Sequence, residues 1–448
     1  MFSTDDTIVA IATPAGRGGI GVVRISGPSA VEIANALLQL DSPLRPRYAT
    51  FARTQGDQVV ATYFPAPHSY TGDHVVEISA HGSPVVLRQI VATAMASGSR
   101  LAEPGEFTLR AFLNGRIDLV QAEAVADLID AVTPLQARAA FDQLEGTLTG
   151  QIASIDAALF DLTAKLEASL DFPDEGYHFL EAGETGAALR AIERTIAALL
   201  CEVRRGRLIR EGARVAIAGK PNVGKSSLFN ALLGAGRAIV NSIPGTTRDL
   251  VSDTVDIEGL RIDLVDTAGV RTTSDEVEIE GVSRARQAWA NADLVLLVVD
   301  RSCPIDEADK DLLHETADVP RLVVATKSDL PPAWRDADDL QAIAVSSKTG
   351  IGLDGLRSAI RTGLDAANPA TAPDTAAVTN VRHAALLERA RTALCRAVEA
   401  VEAPGGPVAE EFVLTDLQDA RAALEEVTGK RTSDDLLRHI FARFCIGK

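Results

Sequence analysis

The chain has 448 residues, 46% of them hydrophobic, and a formal net charge of −18 at pH 7. That length supports roughly two to four domains with cores of their own. The acidic balance excludes broad electrostatic adhesion to RNA or an anionic membrane, so nucleic acid is met locally or with a basic partner.

Residues 1 to about 118 read as mixed α and β with strands dominant. Thr7 to Ala12, Gly21 to Ile25 and Val75 to Ile78 have strand composition. Between the first two, Gly16-Arg17-Gly18-Gly19-Ile20-Gly21 matches the spacing of a dinucleotide loop, but that loop must open a helix. Here a β-branched run follows at once, so a glycine-rich hairpin is the expectation. Met1 to Asp6 lacks the basic start and apolar core of a signal peptide, and no apolar run approaches membrane-spanning length.

From Leu119 the texture becomes alanine-rich helix. Apolar residues at Phe141, Leu144, Leu148, Ile152, Ile155, Leu159, Leu162 and Leu166 alternate spacings of three and four, which predicts one long packed helix. After the acidic loop Asp171 to Gly176, a second helical stretch is predicted from about Glu184 to Arg210. Arg204-Arg205-Gly206-Arg207 with Arg210, and Lys430-Arg431, are the basic patches; such short runs also serve as plain solvated helix surface.

Gly219-Lys220-Pro221-Asn222-Val223-Gly224-Lys225-Ser226 is a P-loop between a buried strand, Arg214 to Ala218, and a helix closed by Gly234. Consecutive N–H groups of Asn222, Val223, Gly224, Lys225, Ser226 and Ser227 can close on phosphates. Lys225 adds a mobile positive charge and Ser226 a hydroxyl for Mg²⁺. Further along, Pro244-Gly245-Thr246-Thr247 offers Thr247 as a second Mg²⁺ ligand that senses the γ-phosphate. The strand Arg261 to Val265 ends in Asp266-Thr267-Ala268-Gly269, an acid for the magnesium shell and a flexible N–H for the γ-phosphate.

The strands Leu294 to Val299 and Arg321 to Ala325 follow, the latter ending in Thr326-Lys327-Ser328-Asp329. A carboxylate at Asp329 accepts both edge donors of guanine and offers nothing to adenine. Common GTPases have Asn where Thr326 stands, so the loop is braced by a hydroxyl and a modest loss of affinity is expected. Strand Ala342 to Val345 then delivers Ser346-Ser347-Lys348 to the base. Val270 occupies the place of the usual water-orienting glutamine and has no side-chain donor or acceptor, so another group must act.

Beyond the linker Asn368 to Pro373, helical periodicity returns from about Val381. The expected domains are 1–118, 119–211 (helical, first part), 212–365 (P-loop GTPase) and 366–448 (helical, second part). The fold class is multidomain α/β and α+β, with the GTPase inserted into one helical domain; two separate helical modules are the alternative. Cys201, Cys303, Cys395 and Cys445 lie far apart with no Cys-x-x-Cys spacing, which fits neither a disulfide framework nor a zinc site and points to a reducing cytoplasm. Gly447 and Lys448 are the wrong residues for a prenylation box.

Over its full length the chain resembles the MnmE (TrmE) family of bacterial tRNA-modifying GTPases. The resemblance rests on Gly16 to Gly21 with Arg24-Ile25-Ser26-Gly27, Ser69-Tyr70-Thr71-Gly72 with His81-Gly82, Pro104 to Phe112, the nucleotide motifs, and Phe444-Cys445-Ile446-Gly447-Lys448. It implies a cytoplasmic homodimer joined through folate-binding-like N-terminal domains. With the flavoprotein MnmG, as a heterotetramer, it would place an aminomethyl or carboxymethylaminomethyl group on C5 of the wobble uridine, position 34, of certain tRNAs.

The resemblance further implies a nucleotide loop over Asn241, Ser242, Ile243, Pro244, Gly245, Thr246 and Thr247. Potassium would be held near Asn222, Asn241, Ile243 and Thr246, and Glu278 would position the attacking water; read alone, Glu278 is a solvated acid at a helix start. A 5-formyltetrahydrofolate site, or one for a related tetrahydrofolate, is implied at Arg24, Glu77, Arg116 and Lys448, with Cys445 a candidate reactive group. A ribosome-assembly GTPase, or a nucleotide-operated scaffold whose turnover is incidental, are the competing readings. The first leaves the N-terminal segment and the last five residues unexplained.

Overall fold

The computed structural model describes residues 4–40, 42–171, 182–235, 237–238, 251–266, 289–334, 340–364, 378–403 and 410–447. These fall into two compact units, Met1–Ala126 with Gln143–Leu180 and Gly405–Lys448, and Asp127–Asp142 with Glu181–Pro404.

The first unit opens with β1 (Ile8–Ile11), β2 (Gly18–Ser26), α1 (Ala30–Leu37), β3 (Thr50–Arg53), β4 (Gln58–Phe64), β5 (Val75–Gly82), α2 (Pro84–Ala96) and β6 (Arg100–Leu101). They form a sheet of order β3-β4-β5-β2-β1-β6. Side chains alternate across strands. Val23, Ile25, Val59, Ala61, Val76 and Ile78 therefore face Ile33, Leu87 and Ile90 of α1 and α2 in one core. The intervening positions, Arg24 and Glu77 among them, fall on the other face. The glycine-rich hairpin is present, with Val9 opposite Ile25 and Gly18 already inside β2.

Helix α3 (Glu106–Leu113) brings Phe107 against Ile8, Ala10 and Ala102. Its start is fixed by charge. Arg110, only 1% exposed, holds Glu106 at 2.9 Å and Asp6 at 2.5 Å, and Arg100 holds Glu106 at 2.7 Å. Helix α4 (Leu119–Asp130) runs out of this unit, α5 (Pro134–Leu144) belongs almost wholly to the second unit, and α6 (Thr147–Asp171) lies in the first.

The single long helix expected through Phe141 and Leu148 is broken. Gly146 adopts φ +84°, a left-handed geometry that favours glycine and ends α5, and Phe141 is 50% exposed. The stripe that is buried, Leu148, Ile152, Ile155, Leu159, Leu162 and Leu166, lies wholly in α6.

The second unit contains α7 (Ala182–Cys201), α8 (Val203–Glu211), β7 (Ala213–Ala218), α9 (Lys225–Ala235), β8 (Arg237–Ala238), β9 (Val251–Ile257), β10 (Leu260–Asp266), β11 (Leu294–Asp300), α10 (Glu307–Glu315), β12 (Arg321–Thr326), β13 (Ile343–Ala344), α11 (Leu353–Gly363) and α12 (Val381–Glu402). Its sheet runs β13-β12-β11-β7-β10-β9-β8. The β7, β10, β11, β12 and β13 strands are parallel, with antiparallel β9 and β8 at one edge. Strand β11 is buried on both faces, which is why Leu294 to Val299 reads as an unbroken apolar run. Helix α9 runs on through Gly234, which therefore does not close it.

In the first unit the last helices are α13 (Glu410–Thr428) and α14 (Asp434–Phe441). Helix α13 packs on α6, while in the second unit α12 packs on α7. Each pair thus joins chain before the nucleotide module to chain after it. No described helix is long and apolar enough to cross a membrane.

Candidate functional site

In the second unit, β7 delivers the phosphate loop at the carboxyl edge of the parallel strands. Gly219 (φ +147°) and Gly224 (φ +101°) take backbone angles that side chains disfavour, and a Cβ on Gly219 would stand 2.5 Å from the Val298 carbonyl. Asn222 also lies at positive φ. The loop thus turns tightly enough to point amides inward. The buried Lys225 ammonium donates to the carbonyls of Gly219 at 2.7 Å and Lys220 at 2.6 Å. Burial pushes its pKa below the ordinary value, against the opposing pull of Asp266. An anionic ligand here removes that penalty.

Ser226, on the first turn of α9, donates to Asp266 Oδ2 at 3.1 Å. Hydroxyl and carboxylate, from loop and strand end, are thereby brought to one spot, the oxygen donor set a hard divalent cation takes.

Thr326 ends β12 and is buried. Its hydroxyl lies 2.5 Å from the Val223 carbonyl and 3.1 Å from that of Val299. One hydroxyl donates one hydrogen, and the shorter contact ties the loop after β12 to the loop after β7. Lys327, at positive φ, extends along the same loop to the Asn222 carbonyl at 3.2 Å and is anchored by Asp300 at 2.5 Å.

Asp329 is exposed and accepts from the buried Ser346 hydroxyl at 2.7 Å, which holds its carboxyl below the usual range. An ionised, oriented acceptor is the result. Ser347 is half-buried and Lys348 exposed beside it. Lys220, not foreseen from the motif, pairs with Asp306 at 2.7 Å and Asp309 at 2.8 Å at the start of α10. The Asp-x-x-Asp spacing of a capping box was its only signal.

Asn241, Ser242, Ile243, Pro244, Gly245, Thr246, Thr247, Thr267, Ala268, Gly269, Val270 and Glu278 lie outside the described residues.

In the first unit, strand register places Arg24 opposite Glu77. Arg24 Nε meets Glu77 Oε1 at 2.9 Å and Nη2 meets the same oxygen at 2.8 Å, leaving Oε2 without a partner among the described residues. The Tyr70 and Phe107 rings stand 5.3 Å and 5.6 Å from the guanidinium. Sequence reasoning had not assigned either ring, although both sit in the motifs that carry the resemblance. The tail past α14 folds back here: Ile446 bridges to Pro104, and Arg24 Nη1 donates to the Gly447 carbonyl at 3.4 Å.

Lys448 lies outside the described residues, and Cys445 is an exposed free thiol whose carbonyl accepts from the Gly105 amide. Arg116 is not among the groups that touch Arg24 or Glu77. Its stem lies beside Gly72, and its guanidinium has no partner among the described residues.

A phosphate loop between a buried parallel strand and a helix, with an oriented acid two strands away, makes the second unit a P-loop GTPase. The model described as MnmE helical domain matches residues 119–445, and that described as GTP-binding protein TrmE N-terminus matches 7–116. The tRNA modification GTPase MnmE of Koribacter versatilis (strain Ellin345) is 44% identical over 459 residues, covering 100% of both chains. That of Syntrophotalea carbinolica is 45% identical over 459 residues, covering 99% of each. The G domain of the T. maritima FeoB iron transporter is 30% identical over 34% of this chain and 98% of that one, with a TM-score of 0.25. The chain belongs to the MnmE family.

Proposed function

We propose that this protein is a cytoplasmic, potassium-dependent GTP hydrolase that modifies tRNA. In this reading it forms a homodimer and works with MnmG to place an aminomethyl or carboxymethylaminomethyl group on C5 of the wobble uridine. The observation that carries the GTPase reading is the tie from Thr326 to the Val223 carbonyl, which joins a base-binding loop to a phosphate loop. The domain limits 1–118, 119–211, 212–365 and 366–448 belong to the same proposal.

Asp329 selects guanine, with Ser346, Ser347 and Lys348 against the base. Lys225 meets the β/γ-phosphates with the amides of Asn222 to Ser227. Ser226 and Asp266 fit Mg²⁺, with Thr247 from the following loop. Asn222, Asn241, Ile243 and Thr246 would hold K⁺, and the two ions would supply positive charge to the phosphates as charge shifts to the leaving oxygen. Glu278 orients the water that attacks the γ-phosphorus, and GDP and phosphate leave.

Arg24 and Glu77 would hold a tetrahydrofolate carrying the one-carbon unit. Glu77 Oε2 is open to the donor edge of a pterin, and Arg24 lies between two rings with one side toward the Gly447 carbonyl. Arg116, Lys448 and Cys445 complete the proposed set. Mass analysis of wobble uridines from cells lacking the protein tests the whole reading. Loss of the C5 substituent is expected, and its retention would overturn it.

A further inference from the structure

We propose that Lys220 is a positioning residue for GTP hydrolysis: clamped at its tip by Asp306 and Asp309, it holds the backbone carbonyl that aims the Lys225 ammonium at the phosphates. This rests on the reading that Lys225 meets the β/γ-phosphates. The Lys225 ammonium donates to the Gly219 carbonyl at 2.7 Å and to the Lys220 carbonyl at 2.6 Å, so those two oxygens decide where it points.

The two oxygens are held differently. Gly219 is packed so closely on β11 that a Cβ would stand 2.5 Å from the Val298 carbonyl. Farther along the loop, the Asn222 carbonyl accepts from Lys327 at 3.2 Å and the Val223 carbonyl from Thr326 at 2.5 Å. Between these anchors stand Lys220 and Pro221, and Pro221 has no N–H to contribute. The tie at this point is the Lys220 side chain, whose ammonium reaches Asp306 Oδ2 at 2.7 Å and Asp309 Oδ2 at 2.8 Å. A residue before proline is confined to extended backbone. With the backbone so restricted, fixing the tip of the side chain fixes the carbonyl as well.

Helix capping accounts for the two acids and leaves the lysine over. Asp306 Oδ1 accepts from the Asp309 amide at 3.1 Å and Asp309 Oδ2 from the Asp306 amide at 3.3 Å, a complete box without any cation. Asp309 is nevertheless only 5% exposed, and its Oδ1 has no hydrogen-bond partner among the described residues. Lys220 is the one cation that meets this buried carboxylate there, and removing it leaves a buried charge uncompensated. The same segment also grips the loop after β12: Asp300 Oδ2 accepts from Lys327 at 2.5 Å, and the Arg301 amide donates to the Thr326 carbonyl at 3.1 Å. The stretch from Asp300 to Asp309 thus fastens both loops to one support.

The test measures single-turnover GTP hydrolysis and binding of methylanthraniloyl-GDP by the full chain with Mg²⁺ and K⁺. Lys220→Met keeps the stem and removes the charge. Hydrolysis should fall about tenfold, because a misplaced catalytic group acts on the rate, while GDP affinity stays within about threefold. Lys220→Arg retains a charged donor for both acids and should hydrolyse within about threefold of wild type. Asp306→Asn together with Asp309→Asn removes both charges and preserves the cap, since the amide oxygens accept from the same two N–H groups. This pair should reproduce the Lys220→Met loss, and adding Lys220→Met to it should bring no further loss.

Lys225→Ala separates the two readings. A normal rate in Lys220→Met with hydrolysis lost in Lys225→Ala overturns the positioning role alone, and a normal rate in Lys225→Ala overturns the reading of Lys225 as well. A loss in Lys220→Met that the two asparagines fail to reproduce, or that Lys220→Arg fails to rescue, overturns the positioning role. So does GDP affinity that falls as far as the rate, which would mark general damage to the loop.

Discussion

Arg24 and Glu77 face one another across β2 and β5 with both guanidinium contacts on a single carboxylate oxygen, 2.9 Å and 2.8 Å away. The pairing orients Glu77 without exhausting it. Arg24→Ala should therefore hydrolyse GTP at the wild-type rate, since Arg24 belongs to another unit from the phosphate loop. It should bind 5-formyltetrahydrofolate at least about tenfold more weakly, the range of a lost charged hydrogen bond, and fail to support modification with MnmG. Normal folate binding by calorimetry would remove Arg24 from the pocket.

The acid at position 329 is expected to be a reversible selector. Asp329→Asn substitutes an amide donor that pairs with the extra carbonyl of xanthine, so GTP should weaken by about two to three orders of magnitude while XTP binding appears. Fluorescent analogues of the two nucleotides read this directly. Unchanged GTP affinity would displace Asp329 from the site.

Thr326 already makes the bracing hydrogen bond to the phosphate loop. Thr326→Val keeps the volume and strands the Val223 carbonyl, at a cost of about 1–3 kcal/mol in nucleotide affinity. Thr326→Asn, which can donate again, should stay within about threefold of wild type. Equal affinity in the valine variant would show that the contact carries no binding energy.

Potassium and Glu278 are expected to act on the rate. Exchanging K⁺ for Na⁺, or Glu278→Ala, should lower turnover by about two to three orders of magnitude with little change in GTP affinity, because both act mainly in the transition state. Stopped-flow binding and single-turnover hydrolysis separate the two quantities. Equal rates in both salts would refute the potassium role.

The Glu106 carboxyl has its pKa held below the ordinary 4.5: burial raises it, but Arg100, the Glu103 amide and Arg110 together outweigh burial. A depressed folded value means that the stabilisation is complete above about pH 4.5 and disappears as pH falls through the folded value. Glu106→Gln should cost about 1.5–3 kcal/mol at neutral pH. As pH falls through that folded value the two proteins should converge in denaturant midpoint. A constant difference across that range would rule out the charge as its source.

The nucleotide site was legible because its demands fall on short contiguous segments, each at the end of a strand whose apolar run announces it. Thr326 was read as a weakened brace. What sequence lacked was register: nothing in the spacing shows that Arg24 and Glu77 are cross-strand partners, or that Tyr70 and Phe107 flank the guanidinium. Gly146 illustrates another limit. The three-four rhythm continues through it, and only the backbone angle reveals two helices. Arg116 could be named from resemblance, yet the cavity it lines together with Lys430 depends on a turn some 300 residues later that glycine alone permits.

The hydrogen bond from Arg24 to the Gly447 carbonyl spans 423 positions of chain. During synthesis the N-terminal sheet emerges first, and domains fold as they appear. Arg24 on that sheet therefore waits for the intervening polypeptide, GTPase included, before this contact forms. A chain that stops before Gly447 retains the sheet and lacks the closing carbonyl, so the surroundings of Arg24 are complete only once Gly447 has been made.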